Sequence, residues 1–196
     1  AQDNRVEYDG KEHGVNPKTP YEVEGKSEGR GILDDHTVSN VNITFTAITV
    51  GEYINKLEIA EGVNIAYGEK DVTNNYDIER IPGTLNITDR NEKYTIMVEA
   101  NSGSKTYDGE PMTVEGFKTL TFTVDGNEYT VEGLSASKTG TNVSDSGEVK
   151  VTGTAVVKDA AGNVVTAQFT VTTKDGQLTI SKRNVTLMSG SGEKVY

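Results

Sequence analysis

Cysteine and tryptophan are absent from this 196-residue chain, which also holds only two histidines and four prolines. Without cysteine there are no disulfides, no thiolate chemistry and no cysteine-based zinc site. Secretion remains compatible, since a Cys-free surface protein is stabilised in other ways. Leucine is scarce, with 7 residues against 58 of Thr, Val and Ile together, and that imbalance favours the pleated, half-buried surface of strands over helices. No window shows sustained helical periodicity, and no apolar run approaches the roughly eighteen residues of a transmembrane helix, so no membrane insertion is expected of this segment. Basic residues are outnumbered 19 to 30, and the net charge of −11 repels nucleic acid and anionic membrane surfaces. The apolar share of 34% predicts thin cores filled by one face of each strand. Ala1-Gln2-Asp3-Asn4 does not read as a signal peptide; the expectation is a leader already removed, or internal residues of a larger protein.

What is present is a repeat. Residues 72–87 and 165–180 carry one sixteen-residue pattern at a constant offset of 93, keeping Val, Thr, aromatic, β-branched, Gly, Leu and Ile in place. Tyr8-Asp9-Gly10 recurs as Tyr107-Asp108-Gly109, and Thr37-Val38 as Thr130-Val131. The copies differ by six residues, which fall in the Gly/Pro-rich loop around residues 17–31. At an offset of 89, Ile96 aligns with Val185, Val98 with Leu187, and Tyr107 with Tyr196. These matches predict a first domain over residues 1–91 that lacks its leading strand, a second over residues 92–183, and the first strand of a following repeat over residues 184–196.

Period-two alternation supplies the strands. Leu120, Phe122 and Val124 share one face, and Asp125-Gly126 signals a hairpin into Tyr129 and Val131. Val149 and Val151 predict a further strand, as do Val165, Ala167, Phe169 and Val171 after a turn over residues 159–163. Leu178 and Ile180 close the repeat. In the first copy Val41, Ile43, Phe45 and Ala47 predict a strand with Asn42, Thr44 and Thr46 facing water. Short strands with turns every eight to twelve residues read as all-β, specifically two tandem Ig-like β-sandwich domains. β-Grasp-like repeats are the alternative, but they need a helix that cannot be placed.

Tyr8-Asp9-Gly10 with Lys11-Glu12-His13, His36-Thr37-Val38, the run from Asp71 through Val72-Thr73-Asn74-Asn75-Tyr76-Asp77-Ile78, and Gly83-Thr84-Leu85-Asn86-Ile87-Thr88 together resemble the YDG/MBG-type repeats of bacterial adhesins and mucus-binding proteins. The resemblance spans nearly the whole chain. The second copy departs from it, with Ala167-Gln168-Phe169-Thr170 replacing Asn-Asn-Tyr-Asp. The family implies a wall-attached or secreted multidomain protein, extracellular, whose repeats form a stalk, present an adhesive tip or bind host glycoprotein, with neighbouring repeats as partners in the parent chain. It carries over no catalytic residue and no cofactor.

Several side-chain groups invite a chemical reading. The Tyr-Asp-Gly motifs are read as tight turns with Gly at positive φ, with Tyr8 and Tyr107 as packing residues. Asp34-Asp35-His36 is the densest set of potential metal ligands, with His13 the only other histidine; a solvated turn is the simpler reading, since zinc requires three or four converging ligands. Calcium is the one metal the sequence leaves open, through Asp125, Asn127 and Glu128, or Asn142, Ser144 and Asp145, although neither run fits an EF-hand loop. Asn42, Asn86, Asn142 and Asn184 begin sequons that matter only in a glycosylating pathway. Lys105 is a conceivable donor for an intramolecular amide bond, but the last strand offers Thr179 where the first copy has Asn86. No Gly-x-Ser-x-Gly elbow exists and a histidine-based triad would have to use His13 or His36, so no enzyme is expected.

The expected function is therefore a non-catalytic tandem-repeat segment acting as stalk or spacer and in adhesion. The alternative is a module binding mucin, glycan or host matrix glycoprotein, with exposed Tyr53, Tyr67 and Tyr76 as its candidate contacts. A more remote alternative is an accessory domain of a carbohydrate-active enzyme.

Overall fold

The alternating Val, Ile and Thr runs close into strands β1–β15, and no α-helix occurs among the described residues, 1–190, 192 and 194 of this computed structural model. Strands dominate the described residues, which makes the chain all-β. The helix that a β-grasp unit packs on its sheet is not found among the described residues. The chain divides into two compact units, Ala1–Lys93 and Tyr94–Tyr196; the sequence matches had placed the division after residue 91.

In the first unit β1 (Asn4–Glu7), β2 (His36–Ser39), β3 (Gly51–Leu57), β4 (Asn64–Tyr67), β5 (Lys70–Asp71) and β6 (Gly83–Thr88) form two three-stranded sheets, ordered β1-β6-β3 and β2-β4-β5. β1 runs parallel to β6, from Asn4 opposite Leu85 to Glu7 opposite Thr88, while β3 is antiparallel to β6. Alternate residues of β6 turn inward, so Leu85 and Ile87 are buried with Leu57 of β3.

The second unit comprises β7 (Tyr94–Glu99), β8 (Gly103–Thr106), β9 (Met112–Glu115), β10 (Thr121–Val124), β11 (Asn127–Gly140), β12 (Gly147–Val149), β13 (Val151–Asp159), β14 (Phe169–Lys174) and β15 (Gly176–Ser181). The long β11 pairs antiparallel with β10, β13 and β9. The Asp125-Gly126 turn has φ of 50° and 84°, the positive pair of a type I′ hairpin. β15 lies between β12 and β8, parallel to β8 from Leu178 opposite Gly103 to Ser181 opposite Thr106, and β7 runs parallel to β14 over six residues. Ala100, Val114, Ala136, Val149 and Leu178 make a buried cluster flanked by Met112, Phe117 and Val151.

A close approach explains one shared glycine. A Cβ on Gly176 would sit 1.9 Å from the Asn101 carbonyl oxygen, and one on Gly83 would sit 2.6 Å from that of Gln2, so only glycine lets the last strand start beside the preceding chain. Register shifts on β11 between Glu132 and Leu134, where Gly133 has φ 80°; its counterpart in the first unit is Asn40, φ 56°, a residue that also tolerates this left-handed region.

Three sequence expectations are corrected. The strand expected over residues 41–47 does not form: Val41, Ile43 and Phe45 are half-buried and Asn42, Thr44 and Thr46 exposed as predicted, yet the segment is held by a bridge from Ala47 to His13, by Ala60 N to Asn42 O at 2.8 Å and by the Thr46 hydroxyl donating to Glu12 at 2.6 Å, and it enters no ladder. In the second unit the matching segment is the end of β11, paired with β9 and β13; in the first the counterpart of β9 runs directly into Pro17, whose missing N–H ends a ladder. Val165 and Ala167 do not open a strand either. They flank or enter a 3-10 turn, Thr166–Gln168, and β14 begins only at Phe169. Third, Val149 and Val151 belong to two strands in different sheets, because the chain leaves β12 and enters β13 between them.

Residues 184–190, expected as a leading strand, adopt no strand. A leading strand in this architecture pairs with a segment about 75 residues further on, as β7 does with β14, and residues 184–190 enter no ladder among the described residues. Ser191 and Tyr196 of that expectation lie outside the described residues.

Candidate functional site

The first unit carries a groove of about 1240 Å3, lined by residues 75–82 together with His36, Val38 and Ile65. Residues 76–81 are the counterpart of β14, which in the second unit is covered by β7; in the first unit they enter no ladder.

At the edge of this groove the structure brings together two of the three tyrosines singled out from sequence. His36 on β2 faces Tyr67 on β4, because His36 and Tyr67 are register partners; their rings stack with centroids 5.1 Å apart and planes at 29°. Tyr76, held after the 3-10 turn Thr73–Asn75, meets His36 edge-on at 5.9 Å and 68°. Its hydroxyl accepts a hydrogen bond from the Leu33 amide at 3.4 Å. Tyr67 is 54% exposed, so one ring face remains open to solvent. Tyr53 is elsewhere: on β3 it packs against Phe45 at 5.5 Å and its hydroxyl bonds to Thr49, a structural engagement apart from the other two.

The second unit shows what the same positions do when filled. Tyr129, the counterpart of His36, meets Phe169, the counterpart of Tyr76, at 4.8 Å, and Tyr94 of β7 meets Phe169 at 5.5 Å. Tyr129 and Phe169 are buried at 1% and 5% exposure. The cluster is therefore core in one copy and groove edge in the other. In the sequence His36 stands as a potential metal ligand, a possible triad histidine and part of the His-Thr-Val motif; its pairing with Tyr67 is long-range and carries no local signal.

The other candidates are placed in structural roles. Asp34 pairs with Lys26 at 3.1 Å and Asp35 adopts φ 62°; among the described residues no group of three or more His, Asp or Glu converges. Asp125 forms the hairpin turn. Asp145 accepts the Asn142 amide at 2.7 Å and the Thr141 amide at 2.9 Å, closing a capping box with Asn142, and these donors hold its carboxyl below the usual value. Lys105 points its ammonium at Asp108, 2.7 Å away, and at the Glu110 carbonyl, which lowers the pKa of Asp108.

The Tyr-Asp-Gly turns repeat closely. The Asp9 carboxylate accepts the Lys11 amide at 2.9 Å and Asp108 accepts the Glu110 amide at 3.0 Å, with Gly10 and Gly109 at φ 75° and 89°. The tyrosines diverge, Tyr8 being fully buried and Tyr107 38% exposed. Burial would raise the pKa of Asp9, but hydrogen bonds from His13 and the Lys11 amide outweigh it and hold the group low.

The chain matches no family model, and no curated protein or solved structure matches it significantly.

Proposed function

We propose that this chain is a non-catalytic, extracellular segment of a bacterial surface protein, acting as a tension-bearing stalk or spacer and in adhesion, in the manner of the YDG/MBG-type repeats its motifs resemble. On this reading each unit is an Ig-like β-sandwich, and neighbouring repeats of a longer chain are its main partners. The observation that supports it is the parallel pairing of an early strand with the last strand in both units, β1 with β6 and β8 with β15. Tension enters the first unit at β1 and leaves at the end of β6; it enters the second at β7, parallel to β14, and leaves at the end of β15, parallel to β8. In a parallel pair those pulls slide the strands along each other, so the ladder bonds are loaded together rather than one by one.

Single-molecule stretching tests this. Pulling the whole chain from its termini should require much higher force per unit than pulling through attachment points that peel β15 away from β8. Equal forces in the two geometries would remove the stalk reading.

One observation favours a second reading, the glycan- or host-glycoprotein-binding module. Tyr67 offers an open ring face, pre-oriented by His36, and aromatic faces of this kind stack on sugar rings. Titration with mucins, free glycans and matrix glycoproteins, using the chain and its Tyr67→Ala variant, decides it: binding lost in the variant supports the module, and no binding across the panel discards it. An accessory domain of a carbohydrate-active enzyme would fall within the same glycan titration.

A further inference from the structure

Four aspartates in this chain are followed by glycine: Asp9, Asp108, Asp125 and Asp175. Such a pair can react with itself, because glycine has no Cβ to keep the aspartate side chain away from the next amide nitrogen. The attack swings the carboxyl carbon onto that nitrogen. Every hydrogen bond that fixes the carboxylate or the amide must first break.

Three of the four are fixed. Asp9 accepts the Lys11 amide at 2.9 Å and lies 2.8 Å from the His13 ring nitrogen. Asp108 accepts the Glu110 amide at 3.0 Å and the Lys105 ammonium at 2.7 Å. Asp175 accepts the Val151 amide at 2.8 Å, and Gly176 after it is buried on β15, opposite Val149.

Asp125 differs on each count. It stands exposed at the tip of the β10·β11 hairpin, and among the described residues its carboxylate has no hydrogen bond or ion pair. Gly126 is exposed as well, and a Cβ there would meet nothing within 4 Å. In a two-residue type I′ loop the ladder bonds join the flanking pair, here Val124 and Asn127, which leaves the Gly126 amide outside them. Each hydrogen bond that has to break slows the attack by about two- to tenfold, and Asp125 alone has none to break.

We propose that Asp125 is a site of spontaneous backbone modification, converting to isoaspartate through a cyclic imide while the chain stays folded. The Gly126 nitrogen bonds to Cγ of the un-ionised Asp125 carboxyl, and the Cγ hydroxyl leaves as water with the amide proton. A second water then opens the ring. Opening at Cγ restores aspartate; opening at the main-chain carbonyl breaks the original peptide bond and routes the chain through the side chain, one methylene longer. One water is lost and one regained, so the product keeps the original mass and needs no enzyme or oxidant. The added methylene removes the two-residue length on which the turn and the Val124–Asn127 register depend, and the outer strand β10 comes loose from β11 at that end. At an offset of 93 the first unit has Ile32-Leu33 in these positions, so the reaction belongs to the second unit.

Ageing the whole chain at mildly acidic pH, in native buffer and in urea, is the test. Peptide mapping separates aspartyl from isoaspartyl forms of equal mass, and an aspartate-specific endoproteinase fails to cut before isoaspartate. In native buffer isoaspartate should accumulate at Asp125 several-fold faster than at Asp9, Asp108 or Asp175. In urea, where the turns are gone, the four sites should convert at similar rates. Asp125→Asn, which keeps the type I′ preference, should give the same products faster, with ammonia leaving in place of water, and Asp125→Glu should stay unmodified because its ring would have six members. Conversion at Asp125 no faster than at the other three in the folded chain, or none over a period in which the unfolded chain converts, overturns the proposal.

Discussion

The Thr166 hydroxyl oxygen accepts the Val157 amide at 2.9 Å, and 93 residues earlier the Thr73 hydroxyl accepts the Ile65 amide at the same 2.9 Å. Each hydroxyl also donates back toward the carbonyl of that residue, at 3.5 and 3.3 Å. One threonine thus clamps a strand end to the 3-10 turn in both units. Replacing either by Val keeps the shape and leaves a part-buried amide without its acceptor, a cost of about 1–3 kcal/mol. Urea denaturation of Thr166→Val and Thr73→Val should show this loss, with Ser at either position restoring most of it.

Gly176 admits no side chain. Its Cβ would overlap the Asn101 carbonyl at 1.9 Å, a backbone atom that cannot swing aside, while at Gly83 the clash is milder at 2.6 Å. Gly176→Ala should destabilise the second unit by about 2–4 kcal/mol, more than Gly83→Ala destabilises the first. Thermal melts of the two variants check the order.

The paired tyrosines of the Tyr-Asp-Gly turns should behave differently. Tyr8→Ala empties a fully buried site and should cost about 3–5 kcal/mol, whereas Tyr107, 38% exposed, should cost distinctly less. Comparable losses in denaturant titrations would contradict the burial difference.

Acid should weaken the fold. Asp71, Glu99, Asp108 and Asp145 are held below their usual pKa, by Thr73, by Lys118 and Lys174, by Lys105, and by the Asn142 and Thr141 amides respectively. A carboxyl with a lowered folded pKa binds protons more readily when unfolded, so its stabilisation is complete above the ordinary range near pH 4 and disappears as pH falls through the folded value. Melting temperature should be flat near neutrality and drop below about pH 4. In Asp145→Asn it should start lower at neutral pH and lose less on acidification.

The aromatic positions show how far a local pattern reaches. Tyr76 and Phe169 are recognisable as one repeated aromatic, but whether that ring becomes core depends on Tyr94, which arrives from a strand 75 residues away in sequence. Tyr53, Tyr67 and Tyr76 look alike as exposed tyrosines, yet strand register sends Tyr53 to Phe45 and Tyr67 to His36. The Asp125-Gly126 hairpin was readable because a type I′ turn is specified by the two residues that form it. The 41–47 segment was not, since alternation encodes which face a residue prefers and says nothing about whether partner strands are there.

By itself, then, the amino-acid order determined the all-β class, the offset-93 repeat, the Gly-based turns and the inward faces of β6 and β15, all of which depend on local conformational preference and side-chain polarity. Tertiary structure alone decided the parallel pairing of β1 with β6 and β8 with β15, the division of Val149 and Val151 between sheets, and the open groove beside residues 76–81. Those features depend on which distant backbone edges meet, and hydrogen-bonding edges are chemically identical from one strand to the next.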